Sequence, residues 1–228
     1  MIVTVVIPTL DEAARIGALV SSLVRSGGAA QDGVEVIVVD GGSRDATPAL
    51  ARAAGARVLA SARGRARQLR LGSECANGDW IVFLHADTRL PEGWSEALAG
   101  VADDPGCAGG AFGFRLEEQG LLFRWIELWV RVRNALFRLP YGDQAIFIRR
   151  GVLEAMGGVP DVPILEDLDL VRGIRSHGRL ALLALPATTS GRRYAQGRGL
   201  RTILLHQWAL LGWLLGFDRV RLARRLGR

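Results

Sequence analysis

The segment Trp80–Leu90, WIVFLHADTRL, constrains this chain more tightly than any other. Its apolar run from Trp80 to Leu84 is of strand type and stops abruptly at His85-Ala86-Asp87-Thr88. Runs of that kind are strands buried on both faces, as in parallel sheets covered by helices. Ligands of open α/β sheets gather at the carboxyl ends of the strands. A carboxylate there suits a hard divalent cation held against a diphosphate, although a strand-end Asp also serves as an ordinary helix cap. Two further acidic positions add weight: Val34–Val39 ends on Asp40, and Glu166-Asp167 follows later in the chain.

Strands and helices alternate over the first hundred residues. Ile2–Pro8 is an apolar strand closed by Pro8, and Ile16, Leu19, Val20, Leu23 and Val24 share one face of the helix that follows. Val34–Asp40 is the second strand. Thr47 and Pro48 have the character of an N-cap and a first helical residue, Gly55 that of a stop, and Arg57–Ala60 that of a short third strand. A helix over Ala66–Cys75 leads through Asn77-Gly78 into the Trp80 strand, and Pro91 opens another helix. Such alternation implies right-handed βαβ units in a mostly parallel sheet flanked by helices.

Beyond this point the pattern is less regular. Cys107–Leu116 reads as a strand made irregular by Gly109, Gly110 and Gly113, and Leu121–Leu139 as a helix mixing Trp125, Leu128 and Trp129 with arginines. Ala145–Ile148 is a short strand, and Leu180–Leu185 an edge strand closed by Pro186. From Leu200 onward the chain is helical and rich in Leu, Trp and Arg. The expected organisation is one α/β domain over 1–198 with a helical extension over 199–228, packed on the domain or at a membrane surface.

Composition removes several classes. Of 228 residues, 49% are apolar and 23% charged, which leaves no disordered tract. Lys and Arg outnumber Asp and Glu, 29 to 23, so part of the surface attracts anions. No helix-turn-helix, zinc or RNA-binding signature accompanies that charge, so nucleic acid is not an expected partner. Cys75 and Cys107 have neither metal spacing nor a disulfide framework. The start, Met1-Ile2-Val3-Thr4, is strand-like rather than a secretory leader. No run reaches the roughly 18 apolar residues of a membrane span. The expected location is the cytoplasm, with the inner face of the cell membrane as an alternative site of contact through the Trp- and Arg-rich helices.

Several segments carry chemistry, each with a plainer alternative. Pro8-Thr9-Leu10-Asp11-Glu12 caps a helix or forms a nucleotide-base pocket. Asp40-Gly41-Gly42-Ser43 follows a buried strand; its glycines let a flat ligand approach the backbone, and its Asp can accept hydrogen bonds from a base or ribose, the plainer reading being a tight turn capped by Ser43 or Asp45. Gly64-Arg65-Ala66-Arg67-Gln68 places basic side chains and free N–H groups at a helix start, an anion site or a solvated turn. Asp87 suits Mg²⁺ or Mn²⁺, and an imidazole ligand at His85 favours Mn²⁺. Glu166-Asp167-Leu168-Asp169 is an acidic helix start or the source of a general base. Arg192 and Arg193 form a basic turn or a diphosphate clamp. Neither G-x-G-x-x-G after the first strand nor a Walker loop occurs, which disfavours nicotinamide cofactors and P-loop hydrolysis.

Taken in order, IPTLDEA, VIVVDGGSRDAT, GRARQL, FLHADT, YGDQAIFIRR, ILEDLDL and TSGRRY resemble the family 2 glycosyltransferases of the GT-A fold, and within them the short bacterial arsenosugar-biosynthesis type. The resemblance implies an inverting transferase that moves a sugar from a UDP- or GDP-sugar to a small-molecule or lipid-linked acceptor. Pro8, Thr9, Asp11, Glu12, Asp40 and Gly41 would line the nucleotide site, and Gly64 and Arg65 would close over it. Ala86 and Asp87 match the end of the Asp-x-Asp metal motif, whose first Asp is His85 here, with Mn²⁺ or Mg²⁺ as the implied cation. Asp167 matches the general base, Glu166, Gly142, Asp143 and Gln144 the sugar or acceptor pocket, and Arg192 and Arg193 the basic loop near the leaving diphosphate. A sugar-nucleotide nucleotidyltransferase and a non-catalytic nucleotide-sugar-binding protein are the alternatives.

Overall fold

Val3–Thr9 (β1) and Val34–Asp40 (β2) carry β-branched residues at most positions, which suits a pleated, doubly covered strand. They pair in parallel, so that Thr9 faces Asp40 at their carboxyl ends. In the computed structural model, which describes residues 1–26, 33–192 and 199–225, they stand within one sheet. Arg57–Ala60 (β3) flanks β2 in parallel, and Trp80–Phe83 (β4) flanks β1 in parallel. Ile146–Arg149 (β7) adds to β4 antiparallel, Cys107–Leu116 (β6) to β7 antiparallel, and Arg179–Thr189 (β8) to β6 in parallel. Thr88–Arg89 (β5) closes the far edge against β8, for a strand order β3-β2-β1-β4-β7-β6-β8-β5 among the described residues.

The helices cover both faces. Ala13–Ser26 (α1), Thr47–Ala53 (α2) and Trp94–Ala102 (α4) lie on the side of Val5, Val38 and Val82. Arg65–Glu74 (α3), Arg150–Ala155 (α6) and Glu166–His177 (α7) lie on the side of Val6, Ile37 and Phe83. Leu121–Phe137 (α5) packs on the end of β6 through Ile126 and Val130. Close helix-to-sheet contact depends on Gly72 of α3, where a Cβ would stand 2.4 Å from Val6 Cγ1. Gly199–Leu214 (α8) and Arg219–Arg225 (α9) form the C-terminal part, with Leu222 and Ala223 buried against Ile164.

Several boundaries differ from the sequence reading, each for a local reason. Over Leu180–Leu185 β8 pairs with β6 alone among the described residues, as an edge strand does, and β5 joins it only at Thr188 and Thr189; β8 does not, however, end at Pro186. Its register against β6 slips between Ala111↔Leu182 and Gly113↔Pro186, and in that irregularity a proline's missing N–H is tolerated. β6 runs the full predicted span, and its glycines admit the neighbouring backbone: a Cβ on Gly110 would fall 2.1 Å from the Ala181 carbonyl oxygen. α4 starts at Trp94 rather than Pro91, because Gly93 precedes it in the left-handed region at φ +73°. Thr47 is the first residue of α2 rather than its cap; Ala46 holds the cap position, and the Asp45 carboxylate one residue before it accepts the Thr47 amide at 2.9 Å. Both cysteines are free thiols, Cys107 buried and Cys75 half-buried.

Candidate active site

The parallel registers bring Thr9, Asp40 and the residues after Phe83 to one edge of the sheet. β7 runs the other way, so the short 3-10 turn before it, Gly142–Gln144, arrives at the same edge. The end of β8 joins them, and Ser190 donates its N–H to the Asp87 carbonyl at 3.2 Å. A cleft of about 270 Å³ opens there, lined by Pro8, Thr9, Leu10, Glu12, Arg65, Gln68, His85, Ala86 and Asp87. A larger recess of about 390 Å³ lies at the opposite end of β4, around Asp79 and Arg149. Arg149 is already held by the carbonyls of Ala102, Asp104 and Cys107, so the smaller cleft is the one where polar groups converge.

Two loops are latched together on one side of this cleft. The Ser43 hydroxyl accepts the Asp11 amide at 2.9 Å, the Asp11 carboxylate accepts the Arg44 amide at 2.7 Å, and Asp45 accepts the Ala13 amide at 3.1 Å. Asp11 holds this geometry at φ +55°. Asp40 is buried, and its oxygens take the Gly42 and Ser43 amides at 3.0 and 2.9 Å, the Thr9 hydroxyl at 3.2 Å, and the Ser43 hydroxyl. Burial opposes the charge on Asp40, but these donors outweigh it and hold the carboxyl below its ordinary value. Asp40 therefore builds its own turn with all of its acceptor sites, a role assigned in the sequence to neighbouring Ser43 or Asp45. Gly41 is buried and donates to the Thr9 carbonyl at 2.9 Å. Gln68, not singled out from the sequence, donates to the Thr9 and Val39 carbonyls at 2.9 and 2.7 Å and ties β1, β2 and α3 together. The signal for it was a lone amide on the buried face of α3, beside Leu69 and Gly72.

The acidic segment separates into three roles. Glu166, 2% exposed, forms an ion pair with Arg65. Asp169 receives the Trp213 indole N–H at 3.1 Å and is paired with Arg219. Asp167 accepts the Gly142 amide at 2.9 Å and its neighbour Leu168's amide at 3.0 Å, with the Arg65 guanidinium 3.9 Å away. Gly142 is needed at this contact, since a Cβ would stand 3.1 Å from His85 Nε2 and 3.3 Å from Asp167 Oδ2. Ala145 and Leu165, at φ +48° and +64°, bracket the site; non-glycine residues in that region mark backbone held in place by its surroundings.

Arg65 departs from the expectation of a free anion site. Its guanidinium faces Glu166, Asp167 and His85, and although burial opposes the charge, these acids raise its proton affinity further. One guanidinium nitrogen lies 3.2 Å from His85 Nε2. An arginine only donates, so any hydrogen bond between the two runs from Arg65 to Nε2. Arg67 of the same turn pairs with exposed Asp161. Gly64 caps α3 at φ +148° and accepts the Gln68 amide.

Gln144 is fully buried: its amide receives Arg133 at 3.0 Å and the Tyr141 amide at 3.3 Å, and donates to the Phe112 carbonyl at 3.0 Å. It offers no surface to a sugar or acceptor, and acts as a strut for the Gly142 turn. Asp143 is half-buried beside it. On the β8 side, Gly191 donates to Glu118 at 2.6 Å, which pins the loop, and Arg192 is exposed within electrostatic reach of Glu12. Arg193 lies outside the described residues.

Glu12 shares the cleft with Asp87. Burial and then the Asp87 charge push its carboxyl above the ordinary value, with Arg192 and Arg15 opposing. A cleft in which two carboxylates repel is one that a cation relieves. Among the described residues no group of three or more His, Cys, Asp or Glu side chains could hold a metal by itself. These donors thus fit a cation shared with a substrate's phosphates and water, as Mg²⁺ sites commonly are, and do not form an all-protein cage.

A mixed α/β sheet with a polar cleft at the carboxyl ends of its parallel strands defines the ligand-binding class of open α/β proteins, and comparison with known proteins narrows it. The profile of glycosyl transferase family 2 matches residues 4–152, and the chain belongs to that family. A PGL/p-HBAD biosynthesis glycosyltransferase of Mycobacterium tuberculosis is 31% identical over 171 residues, which cover 68% of this chain and 61% of the relative. The chain thus spans about three fifths of the length of that relative. Among solved structures, S. aureus TarS (residues 1–349) in complex with UDP-GlcNAc superposes with a TM-score of 0.65 at 17% identity, covering 84% of this chain and 59% of that one. Glucosyl-3-phosphoglycerate synthase from Mycobacterium tuberculosis, in complex with Mg²⁺ and UDP, superposes at 0.64 with 21% identity, covering 96% and 80%. The fold is of the GT-A type.

Proposed function

We propose that the chain transfers a glycosyl group from a nucleotide-diphosphate sugar to an acceptor hydroxyl, with inversion, over residues 1–198, and that 199–228 is a helical extension of that unit. The observation that carries this reading is Arg65, which touches both sides of the cleft edge: His85, two residues from Asp87, and the Glu166-Asp167 pair. It supports placing the donor's diphosphate by Asp87 and the acceptor by Asp167. The solved relatives that hold UDP-GlcNAc or UDP with Mg²⁺ support a UDP-sugar as the first donor to test.

In this mechanism the latched loops of Asp11–Ala13 and Asp40–Asp45 hold the nucleoside without reorganising. Asp87, with Glu12 at its side, would hold Mg²⁺ or Mn²⁺, which supplies positive charge against the diphosphate. Arg192 and Arg193 supply further cationic donors there. Asp167, fixed by the Gly142 and Leu168 amides, accepts the acceptor's proton as its oxygen bonds to the anomeric carbon. The bond to the diphosphate breaks in the same displacement, and the nucleoside diphosphate leaves with the electron pair. The cytoplasm is the location proposed with this use.

The test is nucleoside diphosphate release from a panel of nucleotide sugars with Mn²⁺, Mg²⁺ or EDTA, using Asp167→Asn and Asp87→Ala alongside the wild type. Metal-dependent release that falls about 10²-fold or more in Asp167→Asn, with donor binding retained, is the expected result. Tight donor binding without release, even with cell extract as a source of acceptor, would assign a binding protein instead.

A further inference from the structure

α5 presents a face that nothing in the described chain covers. Its inner side, Phe123, Ile126, Val130 and Arg133, packs on the end of β6 and on the Gly142 turn. Its outer side exposes Leu121, Trp125, Leu128, Trp129, Val132 and Leu136, with Trp125 69% and Leu136 70% exposed. At roughly 100° per residue these side chains fall within an arc of about 120°. Exposed Arg124 and Arg131 border that arc on one side. A stripe of this extent on one helix marks an interaction surface rather than scattered exposure. Among the described residues no helix is long and apolar enough to cross a membrane, so whatever α5 meets, it meets from outside.

We infer that the outer face of α5 docks on an anionic lipid bilayer, lying in the interface with its Trp and Leu side chains in the acyl boundary and Arg124 and Arg131 at the headgroups. Charge decides between a bilayer and a second copy of the chain. Three carboxylates in and just before α5 are engaged within the molecule: Glu127 by the Leu116 amide, Glu117 by Arg89, and Glu118 by the Gly191 amide. A second copy would bring the same two arginines to the contact, whereas anionic headgroups supply the opposite charge. The C-terminal helices repeat the composition: Leu211, Leu214, Leu215, Phe217 and Val220 are exposed, alongside exposed Arg221, Arg224 and Arg225. That region joins the molecule at Asp169, two residues from Asp167, and α5 braces Gly142 on the other side of the same aspartate. The docking inference stands on this surface alone and does not require any particular donor or acceptor.

The experiment is co-sedimentation of the full chain with vesicles of phosphatidylcholine alone or of phosphatidylcholine and phosphatidylglycerol in equal parts, comparing the wild type with the Trp125→Glu/Leu128→Glu variant. Both changes are at exposed positions outside the cleft, so circular dichroism and donor turnover without vesicles are expected to match the wild type. Binding to the mixed vesicles, weaker on phosphatidylcholine alone and reduced about tenfold or more in the variant, is the expected result. Failure of the wild type to sediment with mixed vesicles overturns the inference, as does equal binding by the variant. Sedimentation velocity showing a wild-type dimer that the variant dissociates, without vesicle binding, assigns the face to a second copy. Turnover measured on the same samples keeps failure of docking separate from failure of the catalytic reading.

Discussion

Glu12 and Asp40 sit near the ends of adjacent strands, yet their surroundings push them in opposite directions. Asp40 has four donors and stays charged well into acid, while Glu12 is half-buried with Asp87 as a neighbour and is held above its ordinary 4.5. A carboxyl raised in this way contributes its full stability below its ordinary value and loses it as pH rises through the raised one. Glu12→Gln removes that loss: the variant is expected to melt with the wild type in acid and above it at neutral pH without added metal. Thermal melts across the two ranges check this, and a difference that does not change with pH would sink the assignment. At this scale Asp40, Asp87 and Asp167 were legible because each follows a recognisable run of its own residues. Gln68 and Glu118 were not, because each acts across a contact between distant segments that no local pattern records.

Among the elements, the short 3-10 turn before β7 matters most. It has one amide on Asp167, a buried strut in Gln144, and a cation–π contact of Arg133 over the Tyr141 ring at 3.6 Å behind it. Gly142→Ala forces the His85 ring or the Asp167 carboxylate to give by a few tenths of an ångström. Turnover is expected to fall about tenfold or more while the melting temperature moves little, because misplacing a reacting group costs rate before it costs stability. A variant with wild-type turnover would show that Asp167 is not held through this contact. The core strands and helices were readable from periodicity, since β1, β2 and β4 each fill both faces of the sheet. The passage of β8 through Pro186 was not, because a proline's cost depends on the register of its neighbour, and that is a property of the pair.

For the whole molecule, the C-terminal helices are tied to the acidic segment by Trp213 and Arg219, both on Asp169. Arg219→Ala leaves that carboxylate with the indole alone and is expected to cost about 1–2 kcal/mol. It also raises amide exchange across α8 and α9 before the sheet is affected, which hydrogen-exchange mass spectrometry reads directly. Unchanged exchange there would mean that the burial of Leu222 and Ala223 holds the tail without the ion pair. The slip beside Pro186 also sets a distance. β8 uses four residues to keep pace with two of β6, and the surplus of two is about 7 Å of strand. Drawn straight, β8 would reach Asp87 two residues sooner and carry Arg192 that much past the cleft mouth. The irregularity thus works as a spacer, and its length, rather than any residue in the cleft, sets where the strand delivers Arg192.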